Sequence, residues 1–415
     1  MAFQTQVPRI DIVIAGGSFA GLALALAVSR SLGPGFSISV IDRASGKRPA
    51  EATDPRASAI SAGSRRMLAQ LGVWSRISDQ AQPVSEIQLS DSPLEAGVRP
   101  VLLTYDNILG GGEPASFIVP NSALAKALEE AVAAEPAITL VRPAEARGFA
   151  VRGHGVVVEL ADGRTLQAAL LVAADGRHSP MREAAGIACV SWSYDQTGIV
   201  TRVEHVLPHE GRALQHFLPG GPFAILPLKG NQSCITWSEN AERAGKILAL
   251  DDEAFLAEVD RRFAGRYGAV RLAGSRASWP LEMSLARGYV GHRFALIGDA
   301  AHSVHPIAGQ GLNLGFRDVA ALAEVLTEAA RVGLDLGDAD ALERYETWRR
   351  FDSTLSAATF DGLNRLFSND WTLGRSAREL GLGLVNRLPA LKQLLVTEAA
   401  GLSGDTPRLL KGLPI

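Results

Sequence analysis

Three aspartates each close a short apolar run: ISVI precedes Asp42, LLVAA precedes Asp175 and FALIG precedes Asp299. A carboxylate that emerges from the carboxyl end of a buried parallel strand can accept hydrogen bonds from the hydroxyls of a ribose or a polyol, and open α/β sheets bind ligands at that edge. Gly298 lets the backbone turn sharply ahead of Asp299. Asp175 is followed by Gly176 and a basic stretch with Arg177 and Arg182. A strand that ends in Asp-Gly is also the commonplace form of a hairpin turn, so the motif gains meaning only beside the other two strand ends.

Two glycine clusters accompany these acids. In Gly16, Gly17, Ser18, Phe19, Ala20, Gly21 the pattern G-x-G-x-x-G is met if Ser18 takes the middle place. Gly16 would make the tight turn, position 18 would let the backbone approach a pyrophosphate, and Gly21 would let helix and strand pack closely. The Ser18 hydroxyl could itself bond to phosphate. With a strand before it, a helix after it and Asp42 ending the next strand, the unit reads as a dinucleotide site rather than a plain glycine turn. Arg56, in DPRASAI, could fork onto the pyrophosphate or stand as a surface arginine. The second cluster, Pro306 to Gly315, sets Gly309, Gly311 and Gly315 around Leu312 and Asn313 at the start of a helix. Unpaired N–H groups and partial positive charge gather there. Without side chains at Gly309 and Gly311, a planar ring can lie against them, and reduced flavin carries negative charge along its N1 and C2 carbonyl edge. His302 and His305 lack the third and fourth ligands that a zinc site needs, so a polar role is expected of them rather than metal binding.

The elements that must position these residues follow from hydrophobic pattern. Strand Ile10 to Ala15, helix Phe19 to Leu32 and strand Ser37 to Ile41 form a βαβ unit. Helices are predicted across Ser64 to Leu71 and Ser122 to Ala134, with a hairpin at Asp162 and Gly163. Residues 80–112 read as irregular. Between residues 186 and 285 the pattern changes to strands at 198–204, 213–218, 223–228 and 233–238, with a covering helix from Asp251 to Phe263. From Ala341 onward the chain reads as helical. The organisation expected is α/β: a Rossmann-like nucleotide domain in three pieces (residues 1–80, 113–185 and 286–340), an irregular excursion (81–112), an inserted, mostly antiparallel sheet domain (186–285) and a helical C-terminal region (341–415).

Apolar residues make up 47% of the 415 and charged residues 20%, an ordinary globular balance, and a net charge of −3 gives no reason to expect nucleic acid. The segment MAFQTQVPRI lacks the form of a signal peptide, and no apolar run reaches the length of a membrane span. Two isolated cysteines suit a reducing cytoplasm. Leu380, Leu384, Leu388, Leu391 and Leu395, with Arg375, Arg378, Arg387 and Lys392 nearby, form an amphipathic pattern interrupted at Pro389. Such a stripe docks on its own protein or on a membrane surface or partner.

Taken together, these residues resemble the FAD-dependent aromatic hydroxylases of the para-hydroxybenzoate hydroxylase type, over nearly the whole chain. Within them the chain is similar to the ubiquinone-biosynthesis hydroxylases in DPRASAISAGSRRMLAQLGVW, YDQTGIV, EHVLPHEGRALQHFLPGGPFAILPL and HPIAGQGLNLGFRD. The resemblance implies that Gly16, Ser18 and Gly21 hold the FAD pyrophosphate, Asp42 the adenosine ribose, and that Arg56 also contacts FAD. It implies that Asp175 and Gly176 serve FAD and the nicotinamide donor, NAD(P)H, and that Asp299 binds the ribityl chain. Pro306, Gly309, Gln310, Gly311, Leu312 and Asn313 would lie along the isoalloxazine. Ser18 in place of a usual glycine is one departure; Pro120 and Ser122, where relatives often carry an acid and an arginine around Asn121, are another. The implied reaction is hydroxylation of a polyprenyl phenol ring with O2 through a flavin C4a-hydroperoxide, in the cytoplasm or at the inner face of the membrane, alone or with partners of a quinone-biosynthesis complex. Rival readings are a hydroxylase of a soluble aromatic compound, an FAD-dependent reductase or dehydrogenase, and a flavin-binding subunit without chemistry of its own. No residue is assigned as catalytic base; His216, His302 and His305 are the candidates.

Overall fold

Runs of Ile, Val, Leu and Ala without polar alternation make strands that are buried on both faces, and they form the centre of the first sheet. The computed structural model describes residues 10–45, 54–94, 100–306, 309–368 and 388–415. Its first sheet has the path Val290–Gly291, Phe294–Leu296, Thr165–Ala173, Ile10–Ala15, Ile38–Ile41 and Ile138–Val141. All neighbours on this path are parallel except Val290–Gly291 with Phe294–Leu296. The hairpin predicted at Asp162 forms, and its second arm and the apolar strand after it are one continuous strand, Thr165–Ala173. Its first residues pair antiparallel with Gly155–Leu160 before the rest joins the parallel sheet. Helix Phe19–Leu32 is buried without a break from Gly21 to Ser29. It is rich in alanine because sheet and neighbouring helices press on it from several sides.

The second sheet is built on the 17-residue strand Cys189–His205, flanked by Ala277–Ala286 and Gln232–Asn240. Helix Asp252–Phe263 covers one face: Phe255, Val259 and Phe263 pack on Ile199, Phe223, Ile235 and Trp237. Each large apolar side chain buried there contributes roughly 1.5–3 kcal/mol. One expectation is corrected. Residues 81–112 are not an irregular excursion, because Glu86–Asp91 and Val101–Asp106 are strands of this sheet, the first parallel to Arg212–Leu218. The alternation Glu86, Ile87, Gln88, Leu89, Ser90 carried that signal. A third, small sheet, Ala57–Ser61 with Ser116–Pro120 and Gln82–Pro83, stands beside helix Gly311–Arg331.

Helix Ala339–Phe367 follows, and the last described α-helix, Pro389–Ala399, begins on a proline, where a missing N–H costs nothing. Its far end docks on its own protein: Val396 and Ala400 are buried with Ala62 and Ala115, and Lys392 Nζ donates to Thr104 O at 2.7 Å. Leu380 and Leu384, with Arg375, Arg378 and Arg387, lie outside the described residues, as do the side chains of Leu391 and Leu395. Among the described residues no helix is long and apolar enough to cross a membrane.

Candidate functional site

Strand register sets the site. Ala15 lies opposite Ile41 on one side and Ala173 on the other, and Ala173 lies opposite Leu296. Four parallel strands therefore end at one level, and Gly16, Asp42, Asp175 and Asp299 follow at once on the same edge. Backbone bonds continue the ladder past it, from Gly16 N to Ile41 O (2.9 Å), Ala174 N to Ala15 O (2.7 Å) and Ile297 N to Ala173 O (3.0 Å). The glycines are required by space. A Cβ at Gly16, where φ is +113°, would come within 2.2 Å of Ala174 O, and one at Gly21 within 1.9 Å of Gly16 O. Gly17, which the fingerprint leaves unassigned, has the same constraint: a Cβ there would lie 2.7 Å from Asp42 Oδ2. Gly315 meets Gly298 so closely that its Cβ would be 3.3 Å from the Gly298 Cα, and Gly298 in turn abuts Ala20. The starts of helices Phe19–Leu32 and Gly311–Arg331 are thereby held against one turn.

Those two starts lack something that other helices have. Ser61, Ser179, Asn240, Asp251 and Asp338 each cap a helix with the side chain. Helices Phe19–Leu32 and Gly311–Arg331 have no side-chain cap and no acid in the first turn. Asn121–Ala133 and Pro389–Ala399 also lack a side-chain cap and a first-turn acid, although Asn121 N donates to Arg56 O at 3.0 Å and Pro389 has no N–H to satisfy. Ser18 and Gly309 are exposed, and Gln310, Gly311 and Leu312 are half-buried. Two positive helix ends thus lie at the carboxyl edge of the parallel sheet without a counter-charge on their own first turns.

Asp299 has an open surface, yet burial raises its pKa, opposed by His302 and Arg177 and reinforced by Asp318. An open surface in desolvating surroundings is the mark of a cleft floor. Asp318 fixes the turn from behind. Fully buried, it accepts from Gly298 N at 2.9 Å, His302 Nε2 at 2.6 Å and Arg349 Nε at 2.9 Å. Burial pushes its pKa up, but His302 and Arg349 outweigh that and hold it below the usual carboxylate value. Asp175 Oδ2 accepts from Met181 N at 3.2 Å, burial raises its pKa, and Arg182 Nη1 donates to Ala300 O at 2.9 Å, tying the Asp175–Gly176 turn to that of Asp299.

Two candidates are used differently from expectation. The Arg56 fork is on Asp54, with Nε to Oδ1 at 2.8 Å and Nη2 to Oδ2 at 2.9 Å, so a phosphate would have to share it. Asn313 is buried with its amide on the small sheet, accepting from Ser61 N at 3.0 Å and donating to Ala59 O at 2.8 Å. It anchors the helix start and leaves only backbone toward the cleft. The three histidines also separate. His302 is bonded to Asp318, His216 Nδ1 lies 2.7 Å from Ser90 Oγ, and His305 Nε2 lies 3.2 Å from Gln196 Oε1. Burial pushes His305 down to about 4, so its ring is neutral at physiological pH. Sequence reasoning missed Asp318, Arg349 and Gln196. Of these Gln196 and Asp318 had a visible signal, their places in YDQTGIV and at the end of HPIAGQGLNLGFRD.

The family profile described as "FAD binding domain" matches residues 9–353. Ubiquinone hydroxylase UbiL of Rhodospirillum rubrum is 43% identical over 412 residues, covering 98% of this chain and 93% of that one. The 3-demethoxyubiquinol 3-hydroxylase of Escherichia coli is 33% identical over 400 residues, covering 94% and 98%. Among solved structures, p-nitrophenol 4-monooxygenase PnpA from Pseudomonas putida DLL-E4 superposes with a TM-score of 0.77 at 18% identity, over 96% of this chain and 99% of that one, a likeness of fold. The parallel sheet with its ligand edge, the inserted sheet and these relatives agree: the chain belongs to the FAD-binding-domain family of flavoprotein monooxygenases, in its ubiquinone-biosynthesis hydroxylase branch.

Proposed function

We propose that this protein hydroxylates the aromatic ring of a polyprenyl phenol, with O2 as oxidant and NAD(P)H as electron donor. The observation that carries the reading is the level edge of four strand ends beside two helix starts without side-chain caps, in a chain whose relatives are named for ubiquinone hydroxylation. The residues fit FAD. Gly16, Ser18 and Gly21 lead the uncapped helix that suits a pyrophosphate, where the exposed Ser18 hydroxyl adds a donor. Asp42 suits the adenosine ribose and Asp299, on the cleft floor, the ribityl hydroxyls. Pro306, Gly309, Gln310, Gly311 and Leu312 form the face for the isoalloxazine, with Asn313 acting through its backbone. Arg56 contributes by sharing its fork with Asp54, and Asp175 with Gly176 shapes the approach for FAD and the nicotinamide.

Bound FAD supplies the activation of oxygen for ring hydroxylation. The chain's part is to orient the phenol and keep water away. The apolar cluster Phe217, Phe360, Phe367 and Leu89 adjoins Asn364 and Gln196, and suits a ring with a prenyl tail. Contact of the C-terminal helices with the inner membrane surface, or with a quinone-biosynthesis partner, would let the tail stay in apolar surroundings. Purified FAD-loaded protein given NAD(P)H, a prenylated phenol and oxygen-18 gas tests this. Label in the ring hydroxyl is the expected result; turnover of small water-soluble phenols alone would overturn the substrate class.

A further inference from the structure

One buried acceptor next to Pro306 has no partner among the described residues. His305 is 1% exposed, sits directly before Pro306, and its Nδ1 makes no hydrogen bond. The opposite nitrogen determines what Nδ1 must be. Gln196 Nε2 points to Gly220 O at 2.9 Å, and because a carbonyl can only accept, that end of the amide is the NH2. The other end, Oε1, therefore faces His305 Nε2 at 3.2 Å and Asn364 Nδ2 at 3.2 Å. An oxygen cannot donate, so His305 Nε2 carries the proton. In a neutral ring that leaves Nδ1 as a pure acceptor.

Gln196 is placed for this by backbone geometry. Pairing of Cys189–His205 with Ala277–Ala286 shifts register between Ser193 and Gln196, and Asp195 takes a φ of +53°. Such a bulge re-aims the side chains around it. The Tyr194 ring meets the His305 ring edge-on at 5.0 Å and 88°, fixing its plane. A buried acceptor left empty costs stability, so a site of this kind awaits a donor.

We propose that His305 Nδ1 accepts the hydrogen bond of the substrate's phenolic hydroxyl, and that Gln196 is the positioning residue that holds His305 in the required tautomer. The inference rests on the polyprenyl phenol reading above. It makes His305 an orienting acceptor and not a base: the proton stays on the phenol oxygen while the bond sets which ring carbon faces the flavin loop.

The test uses the FAD-loaded protein and two probes, 2-geranylphenol and its methyl ether, with equilibrium binding followed by tryptophan fluorescence. The wild type should prefer the phenol by about tenfold, the worth of one buried hydrogen bond. His305→Asn, whose oxygen falls near the place of Nδ1, should keep most of that preference. His305→Gln, whose polar group falls near the place of Nε2, should lose it, with FAD affinity unchanged in both. A purely structural bond to Gln196 would give the reverse order and overturn the proposal. So would an undiminished preference in His305→Gln, or a loss of FAD affinity, which would place the donor on the flavin. Equal binding of phenol and ether by the wild type would refute the inference and leave the substrate reading standing. Binding of neither probe would overturn both.

Discussion

Helices Ala241–Leu248 and Asp252–Phe263, on the inserted sheet, start on Asn240 and Asp251, whose side chains accept from Glu242 N and Ala254 N, with acids in their first turns. Helices Phe19–Leu32 and Gly311–Arg331, on the parallel sheet, start on glycine-rich turns with neither device. The first pair completes its own hydrogen bonding. The second leaves positive ends at a cleft whose floor is Asp299. What sets the second pair apart is place as well as bareness: an uncapped, glycine-rich helix start beside strand ends that carry acids is shaped for a group the chain does not supply.

The sharpest way to break that contrast is to make one substitution in both regions. Gly21→Ala sets a methyl 1.9 Å from Gly16 O, so the turn must open. We expect a loss of roughly 3 kcal/mol or more, as for overpacking of a rigid core, and purified protein without FAD. Gly245→Ala, with nothing within 4 Å of the new methyl on an exposed helix, should instead stabilise. The gain expected is about 0.5–1 kcal/mol. Thermal melting and FAD content read both, and equal effects would erase the distinction.

Acid comes next in size. Burial lowers the His305 pKa from its ordinary 6.5 to about 4 in the folded protein, so between those values the unfolded chain binds the extra proton. Stability is therefore full above pH 6.5 and falls as pH drops toward 4, by up to about 3 kcal/mol at 1.36 kcal/mol per unit. Denaturant unfolding of His305→Asn should show a shallower pH slope across this window. Asp318 acts lower: its folded pKa is depressed, so its contribution is present above the ordinary carboxylate range and is lost as pH falls below it. The smallest effects concern the caps. Asp251→Ala should cost about 1 kcal/mol of stability with FAD affinity unchanged. Ser18→Asp should leave stability level or slightly higher, while its carboxylate weakens FAD binding by about tenfold or more through repulsion of the pyrophosphate.

Much of this contrast was legible in the sequence. Continuous apolar runs ended by Asp42, Asp175 and Asp299 gave the parallel strands and their level edge, since strand type and chain exit are local properties. Glycine spacing gave both helix starts, although Gly17 and its contact with Asp42 needed coordinates. What stayed hidden depends on distant partners. Asp318 looks like any polar helix residue until Gly298, His302 and Arg349 converge on it, and Arg56 looks free until Asp54 is seen beside it. Glu86–Asp91 was missed because the strand that joins it to the inserted sheet, Arg212–Leu218, lies more than a hundred residues on, and polar side chains disguise a half-buried strand although Val101–Asp106 pairs with it close by.

We propose that FAD lies across the level strand ends, with its polyol on Asp299. Calorimetric titration of FAD into apoprotein, comparing wild type, Asp299→Ala and Asp251→Ala, measures it directly. Asp299→Ala should weaken FAD about tenfold to a hundredfold, the worth of hydrogen bonds to a carboxylate, and Asp251→Ala should bind as the wild type does. An Asp299→Ala protein that melts as the wild type does and binds FAD equally tightly would contradict it.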